Sequence, residues 1–286
     1  MTIQPNKKYL VYALLAALFF ALSVPASKFL LTTLSPFFLA SLLYLGAGII
    51  MLTLLGFRSR LDFHHQRFTK KDIPSIVGMI LLDVLAPVAM LIGLQDTFPA
   101  HVSLMNNFEI VSTSIFAFFV FKEALPMKLR IGIVLVTLAS FIISIQDITA
   151  FQFSSGSWWI LLAATAWGFE NNLTRRLSHL DPRWVVVIKG LGSGLVSLVI
   201  AWMLNVISLD GWMIMLGLVL GMISYGLSLW FYITSQRHLG AAKTAVFYAF
   251  APFLGALLSL IFFFEWPSLS FYIGFALMSL GAYFSL

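Results

Sequence analysis

Residues 14–28 read LLAALFFALSVPASK, and residues 161–175 read LLAATAWGFENNLTR. Each stretch opens on the same tetrapeptide, Leu14–Leu15–Ala16–Ala17 or Leu161–Leu162–Ala163–Ala164, and each closes on a base, Lys28 or Arg175, 14 residues after its start. The pairing predicts a chain built twice, and self-similarity is the signature of repeat architecture. A second series of matches runs late in each half at an offset of 142 (265 − 123). Phe121–Lys122–Glu123 pairs with Phe263–Phe264–Glu265, Ala100 with Ala242, Phe108 with Phe250, Gly132 with Gly274 and Leu138 with Leu280. The early offset is 147 (175 − 28), and the difference of 5 fits a longer basic loop in the first half. The repeats are expected to divide the chain into residues 1–148 and 149–286.

Composition fixes the solvent. Of 286 residues, 60% are hydrophobic and only 10% charged, with a mean hydropathy of +0.98. A soluble domain carries about 25% charged residues, so this chain must be solvated mainly by lipid. Twenty-eight Phe, eight Trp and eight Tyr suit lipid-facing and interfacial positions. The chain has no cysteine, which excludes disulfides, thiol catalysis and Cys-ligated metal. A net charge of +6 would suggest nucleic acid for a soluble protein. In a membrane protein, basic loops have the simpler role of setting orientation, so no nucleic-acid partner is expected. Lys7 and Lys8 before an apolar run resemble a signal peptide, but the run continues to Leu31 and reads as a retained first helix.

A helix needs about 20 mostly apolar residues to cross the hydrocarbon core. Ten segments qualify: Tyr9–Leu31, Phe37–Phe57, Ile73–Leu94, Ala100–Phe121, Lys128–Ile145, Ser157–Leu177, Trp184–Leu204, Trp212–Thr234, Ala241–Phe264 and Leu269–Leu286. With a cytoplasmic N-terminus, one set of loops holds Lys7, Lys8, Arg58, Arg60, Arg67, Lys70, Lys71, Lys122, Lys128, Arg130, Arg175, Arg176, Arg183 and Arg237, 14 of the 17 bases. The opposite loops, around Ser35, Asp96, Asp147, Asp210 and Glu265, carry none. This asymmetry predicts both termini in the cytoplasm. Five helices per half is an odd number, so the second half must enter the bilayer from the other side. The expected fold class is therefore an all-α integral membrane protein of ten transmembrane helices in two inverted five-helix repeats. Inverted repeats are a common design of secondary transporters, with the site near the midplane at the repeat interface.

The chain resembles the drug/metabolite transporter superfamily, and within it the EamA-like family. The resemblance rests on Ala16–Ala17–Leu18–Phe19–Phe20–Ala21 running to Lys28, and on Ala166–Trp167–Gly168 running to Arg175–Arg176. Glu123 and Glu265, each closing a helix before a turn and a Gly-containing helix, complete it. The resemblance spans essentially the whole chain. It implies a carrier of small organic metabolites in the cell inner (plasma) membrane, often working outward, driven by gradients rather than ATP and without a cofactor. It supplies no invariant set of site residues. The chain departs from the family in the number of charges within its helices.

Those charges are the functional candidates, since an ionisable group at a helix centre costs roughly 2.5–3.5 kcal/mol on insertion scales. Glu109 lies mid-helix 4, and Asn106 and Thr113 at i−3 and i+4 share its face. The stripe reads as a cavity wall, or as a buried Glu tied to Asn106 or to a neighbouring helix. A carboxyl at this depth suits proton coupling. Asp83 precedes Pro87 by one turn, and the repeat offset aligns it with Tyr225, which predicts that the two face each other across a pseudo-twofold axis. Trp167 and Glu170 share a face of helix 6. Trp167 suits stacking on an apolar or cationic group, while Glu170 either faces the cavity or pairs with Lys189 or Arg175. Lys28, Lys189 and Lys243 read as gates or charge partners, or else as side chains that reach the interface. His64 and His65 sit in a basic loop without further metal-ligand spacing. Helices 1, 3, 4, 6, 8 and 9 are expected to enclose the cavity. Three acids against peripheral lysines predict a cationic or zwitterionic substrate such as an amino acid or amine. The rivals are an uptake permease, an intramembrane enzyme and a non-transporting receptor, and an enzyme would need a base or metal cluster at depth.

Overall fold

The computed structural model describes residues 7–57, 69–122, 126–147, 152–177, 179–239, 244, 247–264 and 266–285. Arg58, Arg60, His64, His65, Arg67, Glu123, Lys243 and Glu265 lie outside the described residues.

The described chain is almost wholly helical. The first half comprises α1 (Lys7–Ala21), α2 (Ser23–Leu30), α3 (Pro36–Phe57), α4 (Ile73–Gln95), α5 (Pro99–Met105), α6 (Phe108–Phe121) and α7 (Met127–Ser144). A two-stranded antiparallel ribbon, β1 (Ile145–Asp147) and β2 (Gln152–Phe153), joins it to the second half. There follow α8 (Ser155–Arg176), α9 (Pro182–Met203), α10 (Gly211–Leu220), a π-helical stretch (Gly221–Leu227), α11 (Ser228–Leu239), α12 (Ala251–Phe263) and α13 (Leu269–Ser285).

Among the described residues, seven spans are long and apolar enough to cross a membrane: Lys7–Leu30, Pro36–Gly56, Ile73–Gln95, Pro99–Val120, Met127–Ser144, Pro182–Met203 and Gly211–Ser235. The chain is thus a multi-pass membrane protein. Of the other three expected spans, α8 carries Glu170, Asn171 and Asn172 within its length, and α12 and α13 are shorter apolar helices. Large apolar side chains such as Leu81, Phe119, Val199 and Ile261 point outward, where water would be hostile and lipid is not. Trp158, Trp202, Trp212 and Trp266 are all exposed and lie at or beside helix ends, positions that suit interfacial tryptophans.

The helices pack chiefly in pairs drawn from opposite halves. α3 lies along α9, α4 along α8, α7 along α13, α1 along α11, and α5 along α12. Small residues allow this, since association in lipid relies on close backbone approach. A β-carbon on Gly190 would lie 2.5 Å from the Gly48 amide nitrogen, so α3 and α9 touch backbone to backbone.

Several helices are interrupted. Pro25, Pro87 and Pro252 have no N–H to give the carbonyls of Ala21, Asp83 and Tyr248, four residues earlier in each case. α1 ends at Ala21 and α2 restarts at Ser23, while α12 begins one residue before Pro252. Between α5 and α6 the chain tightens, with Asn107, Glu109 and Ile110 each donating to the carbonyl three residues back. Two helices end on non-glycine residues in the left-handed region, Lys122 (φ 58°) and Phe264 (φ 50°). These two sit at the same 142-residue offset as the late sequence matches (264 − 122).

Candidate functional site

The intramembrane charges converge. On α4, Ile80 and Asp83 share a face, and the Ser193 hydroxyl of α9 donates to the Ile80 carbonyl at 3.4 Å. One turn before Ser193, Lys189 therefore meets Asp83. Its ammonium lies 3.5 Å from Asp83 Oδ2 and 2.9 Å from Glu170 Oε2. Asp83 is 0% and Glu170 1% exposed. The Tyr44 hydroxyl of α3 donates to Asp83 Oδ1 at 2.8 Å, and the Thr174 hydroxyl donates to Glu170 Oε1. Two carboxylates on α4 and α8 thus share one ammonium from α9. Burial of such charges is tolerable only when they are paired and hydrogen-bonded.

Glu109 stands beside this cluster, linked through α8. Asn171 Nδ2 donates to Glu109 Oε1 at 2.5 Å and reaches Thr113 Oγ1 at 3.5 Å. The next residue, Asn172, donates to the carbonyls of Thr113 (3.0 Å) and Gly168 (2.9 Å), which locks α8 against α6. Glu109 is only half-buried, and Tyr232 and Tyr248 lie within its electrostatic reach. A run of ring contacts leads back to the ion cluster. Tyr232 meets Tyr248 at 4.7 Å, Tyr248 meets Phe20 at 5.8 Å, Phe20 meets Tyr225 at 6.1 Å and Tyr225 meets Tyr44 at 5.4 Å. Trp167, largely buried, lies beside the Tyr44 hydroxyl.

Asp83, Glu170, Glu109, Trp167 and Tyr225 all belong to this one region. Lys189 is the charge partner of Glu170, one of the alternatives read from the sequence, and its side chain, 12% exposed, sits between two carboxylates. Three other expectations need correction. The acids are therefore not opposed only by peripheral lysines. Asn106 does not continue the Glu109–Thr113 stripe, because the tightened turn at Asn106–Asn107 rotates it away, and its Nδ2 packs against Met90 Sδ at 3.9 Å. Asp83 and Tyr225 do not meet directly, since Tyr44 stands between them. Lys28 donates to the carbonyls of Leu94 (2.7 Å), Gln95 (2.9 Å) and Thr97 (3.4 Å), so it caps the C-terminal end of α4.

Sequence reading left out the helices of Tyr44 and Lys189, the second and seventh expected spans. A signal existed for Tyr44: tyrosine favours the interface, and this one sits midway along a span. The chemistry on offer is binding and charge exchange. With all four groups ionised, Asp83, Glu170, Lys189 and Glu109 leave a formal excess of two negative charges.

The EamA-like transporter family matches the chain twice, over residues 7–145 and 154–286. A protein of Methanothermobacter thermautotrophicus (strain Delta H), described as an uncharacterized transporter, is 25% identical over 264 residues, covering 86% of this chain and 76% of that one. A protein of known crystal structure superposes with a TM-score of 0.69 at 18% identity, covering 99% of this chain and 96% of the other. That likeness concerns the fold alone.

Proposed function

Because the chain belongs to the EamA-like transporter family, we propose that this membrane transporter is a secondary carrier for a small organic metabolite with a cationic group, an amino acid, an amine or a related compound. The single observation that carries the substrate class is the excess of negative charge around the half-buried Glu109, next to an ion cluster that one lysine only partly neutralises. Tyr232 and Tyr248, in ring contact at 4.7 Å and near Glu109, add aromatic surface of the kind that attracts a cation.

The architecture proposed is ten transmembrane helices in two inverted five-helix repeats that rock around the site. Three observations support it. The family matches each half separately. The left-handed caps at Lys122 and Phe264 recur at the repeat offset. The main helix pairs also correspond when the halves are exchanged: the α1–α11 contact maps onto α8–α4, while the α3–α9 and α7–α13 contacts map onto themselves. The basic loops support an orientation with both termini in the cytoplasm, and the cell inner (plasma) membrane is the proposed host. Export is the proposed direction, with Glu109 exchanging a proton for the substrate's cation.

The test compares culture media from cells overproducing the intact protein or Glu109→Ala at equal membrane levels. An amine or amino-acid-like compound should accumulate only with the intact protein. Matching media would defeat the export reading, and uptake by proteoliposomes in the presence of the same compounds would then favour inward transport.

A further inference from the structure

A second polar place lies apart from the ion cluster, where three interrupted helices meet. A small cleft between α1, α2, α5 and α12 is lined by Ala21, Ser23, Ser103, Asn106, Pro252 and Gly255, among others. Its free space of about 10 Å³ suits one particle of the size of a water molecule. Its oxygens are unusually available. Ser103 is 2% exposed and Asn106 6%, and neither Ser103 Oγ nor Asn106 Oδ1 has a hydrogen-bond partner. The Ala21 carbonyl ends α1 and gets no N–H from Pro25. Ser103 Oγ and the Ala21 carbonyl converge above Gly255: a β-carbon there would lie 3.0 Å from the first and 3.3 Å from the second.

We infer that this cleft is a binding site for a single sodium ion, held by Ser103 Oγ, Asn106 Oδ1 and the Ala21 carbonyl. Three considerations select that ion. All these groups present oxygen lone pairs, and buried acceptors without a donor carry a cost that a cation removes. No carboxylate lines the cleft, whereas calcium sites rely on carboxylates and magnesium keeps several waters. The space admits a water-sized particle and is too small for a larger hydrated ion. Unwound backbone carbonyls and half-helix C-terminal ends are suited to coordinating Na⁺ in the membrane, and α1 and α5 both end here. The ion would tie α1 to α5 where both pack against α12 of the second half, so it would favour the arrangement described here over any in which α1 and α5 part.

The experiment uses the purified full chain in detergent, with thermal unfolding followed in sodium, potassium or N-methylglucamine chloride at constant ionic strength. Sodium alone should raise Tm, saturably, by about 5 °C across a hundredfold rise in concentration. Gly255→Ala, which fills the space above the ligands, and Ser103→Ala, which removes one of them, should each abolish the sodium response while keeping the potassium Tm and a monodisperse elution profile. Equal Tm values in all three salts would overturn the assignment and leave the cleft to a water molecule. A sodium response unchanged in both variants would overturn it as well. The readout is independent of transport, so its failure is distinct from failure of the export reading.

Discussion

Replacement of Lys189 by methionine keeps the length and apolar stem of the side chain and removes one charge. The structure sets the magnitude. At an effective dielectric of 20, an ammonium at 2.9 Å and 3.5 Å from two carboxylates gains about 6 and about 5 kcal/mol of gross attraction. Most of this offsets the desolvation of three buried ions, and the net loss on deleting one partner of such a cluster is about 3–5 kcal/mol. Lys189→Met should therefore unfold far below the intact protein in mild detergent, by Tm and by yield of monodisperse material. Adding Asp83→Asn restores the original net charge, and adding Glu170→Gln as well leaves no buried charge, so the double and triple variants should recover stability stepwise. Two results would refute the reasoning. One is a single variant within about 1 kcal/mol of the intact protein, which would mean that Lys189 spends its time at the interface. The other is a triple variant no better than the single.

Two further outcomes follow from local geometry. Gly168→Ala sets a β-carbon 2.7 Å from the Thr113 amide nitrogen; backbone cannot yield as a side chain does, so a loss of about 1–3 kcal/mol is expected, seen as a lower Tm, and Gly168→Ser should do no better. On the polar side of α4, the Thr69 amide and hydroxyl donate to Asp72 Oδ2 at 2.8 Å and 2.9 Å, and these bonds hold the Asp72 carboxyl below the usual aspartate range. The folded pKa is depressed, so the stabilisation is present above the unfolded value of about 3.9 and is lost as pH falls through the lower folded value. Asp72→Asn should therefore lower Tm at pH 6, and its difference from the intact protein should shrink toward pH 3.

Much of the candidate site was legible because lipid makes charge conspicuous. Asp83, Glu109 and Glu170 stand out in spans that otherwise hold apolar side chains, and a cost of a few kcal/mol each demands a reason for their presence. What the sequence left open was the choice among partners. Lys189 could pair with Glu170 or escape to water at a helix end, and only the packing of α9 against α4 turns it inward to Asp83 as well. Tyr44 has no ionisable neighbour along its own helix, and its meaning comes from Asp83, 39 residues away. Asn106 misled for a different reason: spacing arguments assume an unbroken helix, and the tightened turn after Met105 breaks the register with Glu109. The late sequence matches at fixed distance have one backbone counterpart, the two left-handed helix ends at Lys122 and Phe264.

The backbone contact between α3 and α9 has a mechanical meaning. Where Gly190 meets Gly48 the two backbones touch, and the Leu191 side chain fills the space against Gly48 as Leu45 does against Gly194, so neither helix can slide along the other without a clash of backbone on backbone. Any rearrangement that opens the bundle must carry these two helices together as a fixed spine, with the remaining elements swinging about it like leaves about a binding. Because Tyr44 and Lys189 are mounted on that spine, Asp83 and Glu170 are the members of the cluster that must leave their partners when the leaves part.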